Sequence, residues 1–255
     1  MIIFDMYAYV NALRANAAEK CSFAIFTMII GLLSRSIIVP GSIIVIVSVI
    51  IVAAAKVPTR QYIKLLLLPV SFLILSVFTV MVTTVDNAEN IVISASILGQ
   101  NLGITSQSME MALKLVLKSL SAVSCLYFLA LTTPMVEIIL VLKKLKLPTI
   151  LIELMGFIYK SIFVLLETAQ QIYVSQDARL GYRSVRRGYS SLGQLISTLF
   201  IKSLHRSERL YISLESRGYT GDLRVLEMSK PFSRMNILAI VLIDSLLVAL
   251  LVFIK

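Results

Sequence analysis

The sequence has little of what most metal and redox chemistry requires. In 255 residues there is one histidine, His205, and there are two cysteines, Cys21 and Cys125. A single histidine excludes HExxH zinc chemistry and His-rich metal capture. Each cysteine sits in an apolar run, with no CxxC pair and no disulfide framework, so both read as core thiols. No segment reads GxxxxGK followed by Ser or Thr, so the chain has no P-loop of its own for ATP. No metal or cofactor site is therefore expected. Charge is also scarce. Only 15% of residues are charged, while 58% are apolar and the mean hydropathy is +0.91. Soluble domains carry about a quarter charged residues. So many apolar side chains exclude a disordered chain and point to an all-α integral membrane protein. A secretory signal is not expected either. The first apolar run follows twenty mixed residues, and no small-residue cleavage site ends it. The net charge of +10, from 24 Lys and Arg against 14 Asp and Glu, shares the chain with several spans. It reports topology first, and no nucleic-acid partner is read from it.

About 20 apolar residues cross a bilayer as a helix. Met1–Lys20 reads as a short amphipathic lead, with Tyr7, Tyr9 and Arg14 suited to an interface. Cys21–Leu33 and Ile37–Ala55 read as two short paired spans turning at Arg35, or else as one long kinked helix. Tyr62–Val85 is the third span and Met109–Leu142 the fourth, with Ile91–Leu98 between them as a loop or re-entrant piece. Met235–Ile254 is the last. The basic loops Lys56–Lys64 and Lys143–Lys146 lie on one side, and the positive-inside rule makes that side cytoplasmic, with the N-terminus. Thr149–Ala169 is apolar but carries Glu153, Lys160 and Glu167, each expensive at bilayer depth. If it crossed, the basic block after it would lie outside. It is therefore expected against the inner face, giving five spans; six is the alternative. The expected division is residues 1–148 as four spans and a lead, 149–234 as a cytoplasmic module and 235–255 as the closing span.

Gln170–Arg234 is the one long polar stretch, with 11 basic and 5 acidic residues, net +6. Within it Leu192, Leu195, Ile196, Leu199, Phe200, Leu204, Leu210, Tyr211 and Leu214 recur mostly at spacings of three and four, one face of an amphipathic helix. From Ser190 to Ser216 that helix would span about 40 Å, with Ser190 or Ser191 as its cap and Gly218 as its left-handed terminator. Thr168–Arg179 is helix-compatible, with Gly181 to stop it. Both helices carry an arginine in the last turn, Arg179 and Arg217. One reading is ordinary cations favoured by the helix macrodipole. The other is a pair of guanidinium forks offered to carboxylates of a partner.

At these residues the sequence resembles the transmembrane T component of energy-coupling-factor transporters, and within it the CbiQ-type subunit of cobalt and nickel importers. The resemblance covers essentially the whole chain. It rests on Asp5-Met6-Tyr7-Ala8-Tyr9 with Leu13-Arg14 and Glu19-Lys20, on Leu145-Lys146-Leu147-Pro148, and on Tyr159–Glu167. It rests also on two short Ala-Arg-Gly-like motifs. Ala178-Arg179-Leu180 matches the first, with Leu where Gly is commoner. Ser216-Arg217-Gly218 matches the second, with Ser where Ala is commoner. Arg187-Gly188-Tyr189 is a decoy for the first. The resemblance implies a non-catalytic, multi-pass subunit of a bacterial or archaeal cell membrane. It would join two ABC ATPase subunits, one per arginine motif, to a membrane-embedded substrate-binding S component, with the Leu192–Leu214 face on a coupling helix.

Other features carry other readings. Glu153, Lys160 and Glu167 lie seven apart and form either a neutralised polar seam or an ion relay. Asp244, beside Ser245 in the last span, is either a functional intramembrane acid or a hydrogen-bonded packing residue. Gly99 and Gly103 support small-residue packing at most. The scattered methionines read as adaptable packing, and His205 as an edge residue. A self-sufficient secondary transporter and an intramembrane enzyme are the other function classes, and within the resemblance the T component of a vitamin importer is the alternative to cobalt or nickel. The first would need Asp244 or the Glu153–Glu167 helix, and the second a nucleophile or metal constellation that is not visible.

Overall fold

The computed structural model describes residues 15–81, 83–84, 91–97, 100–219 and 232–253. Asp5–Tyr9, Leu13-Arg14 and Gly99 lie outside the described residues. The described chain is an all-α membrane protein with one small sheet. Its compact units are Ile139–Met228 and, separately, Ile2–Ile138 with Ser229–Lys255.

In the second unit, α1 (Ala17–Leu33) starts four residues before the apolar run. The Asn16 side chain accepts from the Ala18 N–H at 3.0 Å, and Asn16 and Glu19 close a reciprocal capping box. Backbone geometry turns extended at Ser34, so the next helix, α2 (Ile38–Val49), is separate. One π-helical turn, Ile50–Ala54, prolongs α2. α3 (Thr59–Met81) contains Pro69, which cannot donate to the carbonyl of Leu65 one turn back. The Tyr127 hydroxyl donates to that carbonyl at 3.0 Å instead. Only Tyr62 of α3 is buried; Leu67, Leu68, Phe72, Ile74, Leu75 and Phe78 are exposed, as suits a lipid-facing helix.

Ile91–Leu98, expected as a loop or re-entrant piece, forms a β-strand over Ile91–Ile97 instead. β1 (Thr83–Thr84), β2 (Ile91–Ile97) and β3 (Gln100–Thr105) form an antiparallel sheet in the order β1-β3-β2. Ile97 pairs with Gln100, and a bulge lies between Ile91 and Ile93. The β-branched residues of Ile91–Ile97 favour that choice over a loop.

The expected fourth span is two helices. α4 (Ser106–Thr132) ends before Pro134, and α5 (Met135–Lys144) begins after it. Proline suits the start of a helix, where its missing N–H is not needed. α4 is central in its unit, packed by α1, α2 and α3. Most of its buried residues are small, namely Ser108, Ala112, Ser121, Ser124, Cys125 and Thr132, with Phe128 and Leu131 the large ones. Small side chains let helices approach closely. A Cβ on Gly31 of α1 would lie 3.0 Å from Ser121 Oγ and 3.1 Å from Ile43 Cδ1. Phe23 and Phe128 meet edge to face at 5.4 Å, and Val39, Ile43, Val47, Ile51 and Leu131 fill the rest of the core. Both cysteines are buried and free.

The remaining helices are α6 (Thr149–Ala178), α7 (Val185–Ser216) and α8 (Arg234–Phe253). By length and composition, α3, α4, α6 and α8 are long and apolar enough to cross a membrane; α2 with its π turn is shorter. α6 meets that criterion although its first part, Thr149–Ala169, is expected against the inner face.

Candidate functional site

The two arginine motifs close two helices with the same backbone geometry. Arg179 is the last half-helical residue of α6, at φ −93° and ψ 14°. Arg217 holds that place on α7, at φ −95° and ψ 9°. After Arg179, Leu180 donates its N–H to Asp177 O and Gly181 to Gln176 O, both at 2.8 Å. After Arg217, Gly218 donates to Glu215 O at 2.9 Å and Tyr219 to Leu214 O at 3.0 Å. These paired bonds are the Schellman termination. The third residue of each motif takes the left-handed conformation, Leu180 at φ 60° and Gly218 at φ 74°. Ala178, Arg179, Leu180, Ser216, Arg217 and Gly218 are all exposed, and among the described residues neither guanidinium makes an ion pair. Each cation also sits at the negative end of its helix macrodipole.

The terminator of α6 is thus Leu180, not Gly181. Gly181 is needed for space. A Cβ there would lie 2.7 Å from Ser191 Oγ and 2.8 Å from Gln176 O. The start of α7 also differs from expectation. The helix begins at Val185, with Ser184 as N-cap accepting from the Arg187 N–H at 3.4 Å. Ser191 therefore lies inside α7, buried, and its hydroxyl donates to Gly181 O at 3.0 Å. Gln176 Nε2 donates to Ser191 O at 3.0 Å, and Gln176 Oε1 accepts from the Tyr182 hydroxyl at 2.7 Å. The Tyr182 ring lies 4.7 Å from that of Tyr173. Desolvation, with Tyr173 and Asp177 nearby, pushes the Tyr182 hydroxyl above its ordinary pKa. Gln176, Gly181, Tyr182 and Ser191 form a clasp that fixes the Arg179 end against α7. The decoy Arg187 lies in the first turn of α7, so it ends no helix.

The other end is fixed by a tyrosine too. Tyr219, two residues past Arg217, donates its hydroxyl to Glu153 Oε2 near the start of α6. The end of each helix is therefore bonded to the beginning of the other, which makes α6 and α7 antiparallel. Arg217 lies about 40 Å along α7 from Ser191, at 1.5 Å per residue. The two arginines sit at opposite ends of the pair. Glu153 is engaged by Tyr219, while Lys160 and Glu167 are exposed.

The expected apolar face of α7 divides in two. Leu195, Leu199 and Leu214 are half-buried, whereas Leu192, Ile196, Phe200, Leu204, Leu210 and Tyr211 are exposed. His205 is exposed, with Nδ1 3.3 Å from Glu208 Oε2. In α8, Asp244 Oδ1 is buried without a hydrogen-bond partner among the described residues, and Ser245 bonds to Leu242 O of its own helix. Among the described residues no three His, Cys, Asp or Glu side chains converge as a metal site.

One polar cluster has no counterpart in the sequence reading. Glu19 and Lys20, noted there only for their resemblance to the family, are both buried. The Glu19 carboxylate accepts from the Ser233 N–H at 2.9 Å and from Asn236 Nδ2 at 3.2 Å. Lys20 Nζ donates to Thr132 O at 2.7 Å. The capping-box spacing from Asn16 to Glu19 was the available signal, but it reveals only the local bond.

Comparison with known proteins places these features in a family. The model of the cobalt transport protein family CbiQ matches residues 12–227. An uncharacterised protein of Methanocaldococcus jannaschii is 34% identical over 251 residues, covering 97% of this chain and 92% of that one. The cobalt transport protein CbiQ of Rhodobacter capsulatus is 30% identical over 230 residues, covering 88% and 86%. A putative fused cobalt transport protein CbiMQ of Methanocorpusculum labreanum is 31% identical over 253 residues, which is 98% of this chain and 42% of that one. With the apolar helices described above, this match makes the chain a multi-pass membrane component of transport, and a member of the CbiQ family of cobalt transport proteins.

Proposed function

We propose that the chain is the transmembrane coupling subunit of an energy-coupling-factor importer for cobalt or nickel. In this reading two ABC ATPases bind it from the cytoplasm, and a membrane-embedded S component holds the substrate. The chain itself catalyses nothing; ATP hydrolysis belongs to the ATPases. The observation that carries the reading is the pair of helix ends. Two chain segments of different sequence adopt one termination and expose an arginine at the same step of it. A fork at a fixed backbone position suits bidentate pairing with a carboxylate. The clasp at Gly181 and the Tyr219–Glu153 bond make the α6–α7 pair a strut, so movement at one arginine is felt at the other. The exposed stripe Leu192–Tyr211 is the surface this reading assigns to the S component. Residues 149–234 act as the cytoplasmic module, between residues 1–148 and 235–255 in the membrane, with the N-terminus inside.

Replacing Arg179 and Arg217 together with alanine tests the reading. Truncating a charged partner in a buried pair costs about 2–5 kcal/mol, so the double variant loses both ATPases on co-purification while remaining folded in detergent. Undiminished co-purification would refute the docking role. Asp244 supports a second reading, a stand-alone secondary transporter, because a buried carboxylate oxygen in a span is a functional candidate. That reading expects the purified chain alone to move the ion in liposomes and the Asp244→Asn variant to fail. The coupling reading expects no transport without partners.

A further inference from the structure

Glu19 and Lys20 are adjacent in α1, carry opposite charges, and are only 4% and 2% exposed. Burying either charge alone is strongly unfavourable. Each is matched to a helix end of opposite sign. Ser233 is the N-cap of α8, since Ile237 N–H donates to Ser233 O at 3.1 Å. Glu19 takes the N-cap N–H of Ser233 and the side chain of Asn236, and so sits at the positive end of the α8 macrodipole. Thr132 is the last residue of α4. Lys20 takes its carbonyl, an acceptor that helix termination leaves free, at the negative end of the α4 macrodipole.

These two helix ends are the places where the chain leaves and re-enters its membrane unit. The unit boundaries fall at Ile138/Ile139 and at Met228/Ser229. Thr132 lies just before the first and Ser233 just after the second. Both connections to the unit that contains α6 and α7 are therefore tied to consecutive residues of one helix. Core packing alone does not call for this. An apolar pair of similar volume would fill the space without the desolvation cost.

We propose that Glu19 and Lys20 are positioning residues that deliver ATP-driven displacement of the α6–α7 unit to the membrane helices. A pull on either connection loads α1 through a charge-assisted hydrogen bond. Because the two bonds share one helix, the α4 exit and the α8 return move with it together. α1 packs against both α4 and α8, so the load reaches the bundle at once. The inference rests on the coupling function proposed above and adds the residues through which that coupling passes.

The test uses the complete complex, co-expressed with its ATPases and S component and reconstituted in proteoliposomes. Cobalt(II) uptake and ATP hydrolysis are measured on the same vesicles. In Glu19→Gln and Lys20→Met the ATPases stay bound and hydrolysis stays within about twofold of wild type, because both sites lie outside the arginine ends. Uptake per ATP falls at least tenfold. Asn236→Ala removes one limb of the clasp and leaves both charges paired, so it lowers the ratio by a smaller factor. An unchanged ratio in all three variants overturns the proposal. If the two charge variants fail to assemble, Asn236→Ala decides: a lowered ratio supports the junction and an unchanged one overturns it. A wild-type chain that recruits no ATPase removes the coupling function and this inference with it. Normal coupling in wild type and variants alike removes this inference alone.

Discussion

Gly181→Ala is the substitution on which the clasp makes the sharpest demand. The added Cβ would lie 2.7 Å from Ser191 Oγ and 2.8 Å from Gln176 O. Ser191 can turn its hydroxyl away, at the loss of its 3.0 Å bond to Gly181 O. Gln176 O cannot move so easily. It is a helix carbonyl and accepts the Gly181 N–H that terminates α6. Relieving the contact therefore opens the Schellman turn. One hydrogen bond contributes about 0.5–1.5 kcal/mol net, and overpacking a fixed site costs about 1–3 kcal/mol. A local destabilisation of about 2–3 kcal/mol follows, roughly 30- to 150-fold in the local opening equilibrium. Amide hydrogen exchange on the detergent-solubilised chain reads this directly. The amides of Leu180 and Gly181 lose protection by that factor, while those at the Arg217 end do not change. Adding Ser191→Ala to Gly181→Ala recovers part of the loss, since it removes one of the two close contacts. Unchanged protection at Leu180 and Gly181 in the single variant would show that the clasp does not hold this helix end.

Three further outcomes follow from local geometry. Leu180→Gly stabilises the α6 terminus by about 1 kcal/mol, because a left-handed residue with a Cβ costs roughly 1–2 kcal/mol; exchange at the same amides measures it. Tyr127→Phe leaves the Leu65 carbonyl without its donor and lowers stability in detergent by about 1–3 kcal/mol, read by thermal unfolding. In a Pro69→Ala background the restored backbone N–H satisfies that carbonyl, so the Tyr127→Phe loss shrinks toward zero. Tyr219→Phe removes the bond to Glu153 and raises exchange at Gly218 and Tyr219 with little effect at Leu180.

The helices were legible where period and composition agree. α3 and α8 fall close to the expected Tyr62–Val85 and Met235–Ile254, because unbroken apolar runs of that length have few other solutions. Hydropathy alone ran Met109–Leu142 through Pro134, which breaks a helix despite apolar neighbours. Ser190 and Ser191 are good cap residues, but Ser184 caps first, and once inside α7 the Ser191 hydroxyl bonds Gly181 instead. Gly181 looked like the terminator because glycine is the usual left-handed residue. Here Leu180 takes the strained place and Gly181 makes room for Ser191. The arginine pair was visible as two tripeptides; their common backbone geometry was not. The burial of Glu19 and Lys20 was hidden entirely. Their partners lie more than a hundred residues away, and adjacent opposite charges at a helix start read as a solvated face.

The central claim is that Arg179 and Arg217 each meet an ATPase. A photo-crosslinking residue placed at each position in turn, in cells producing the whole transporter, tests it most directly. The account predicts an ATPase adduct from both positions, with Lys202, on the exposed middle of α7, giving much less. Adducts from neither position, or only to lipid, would contradict it.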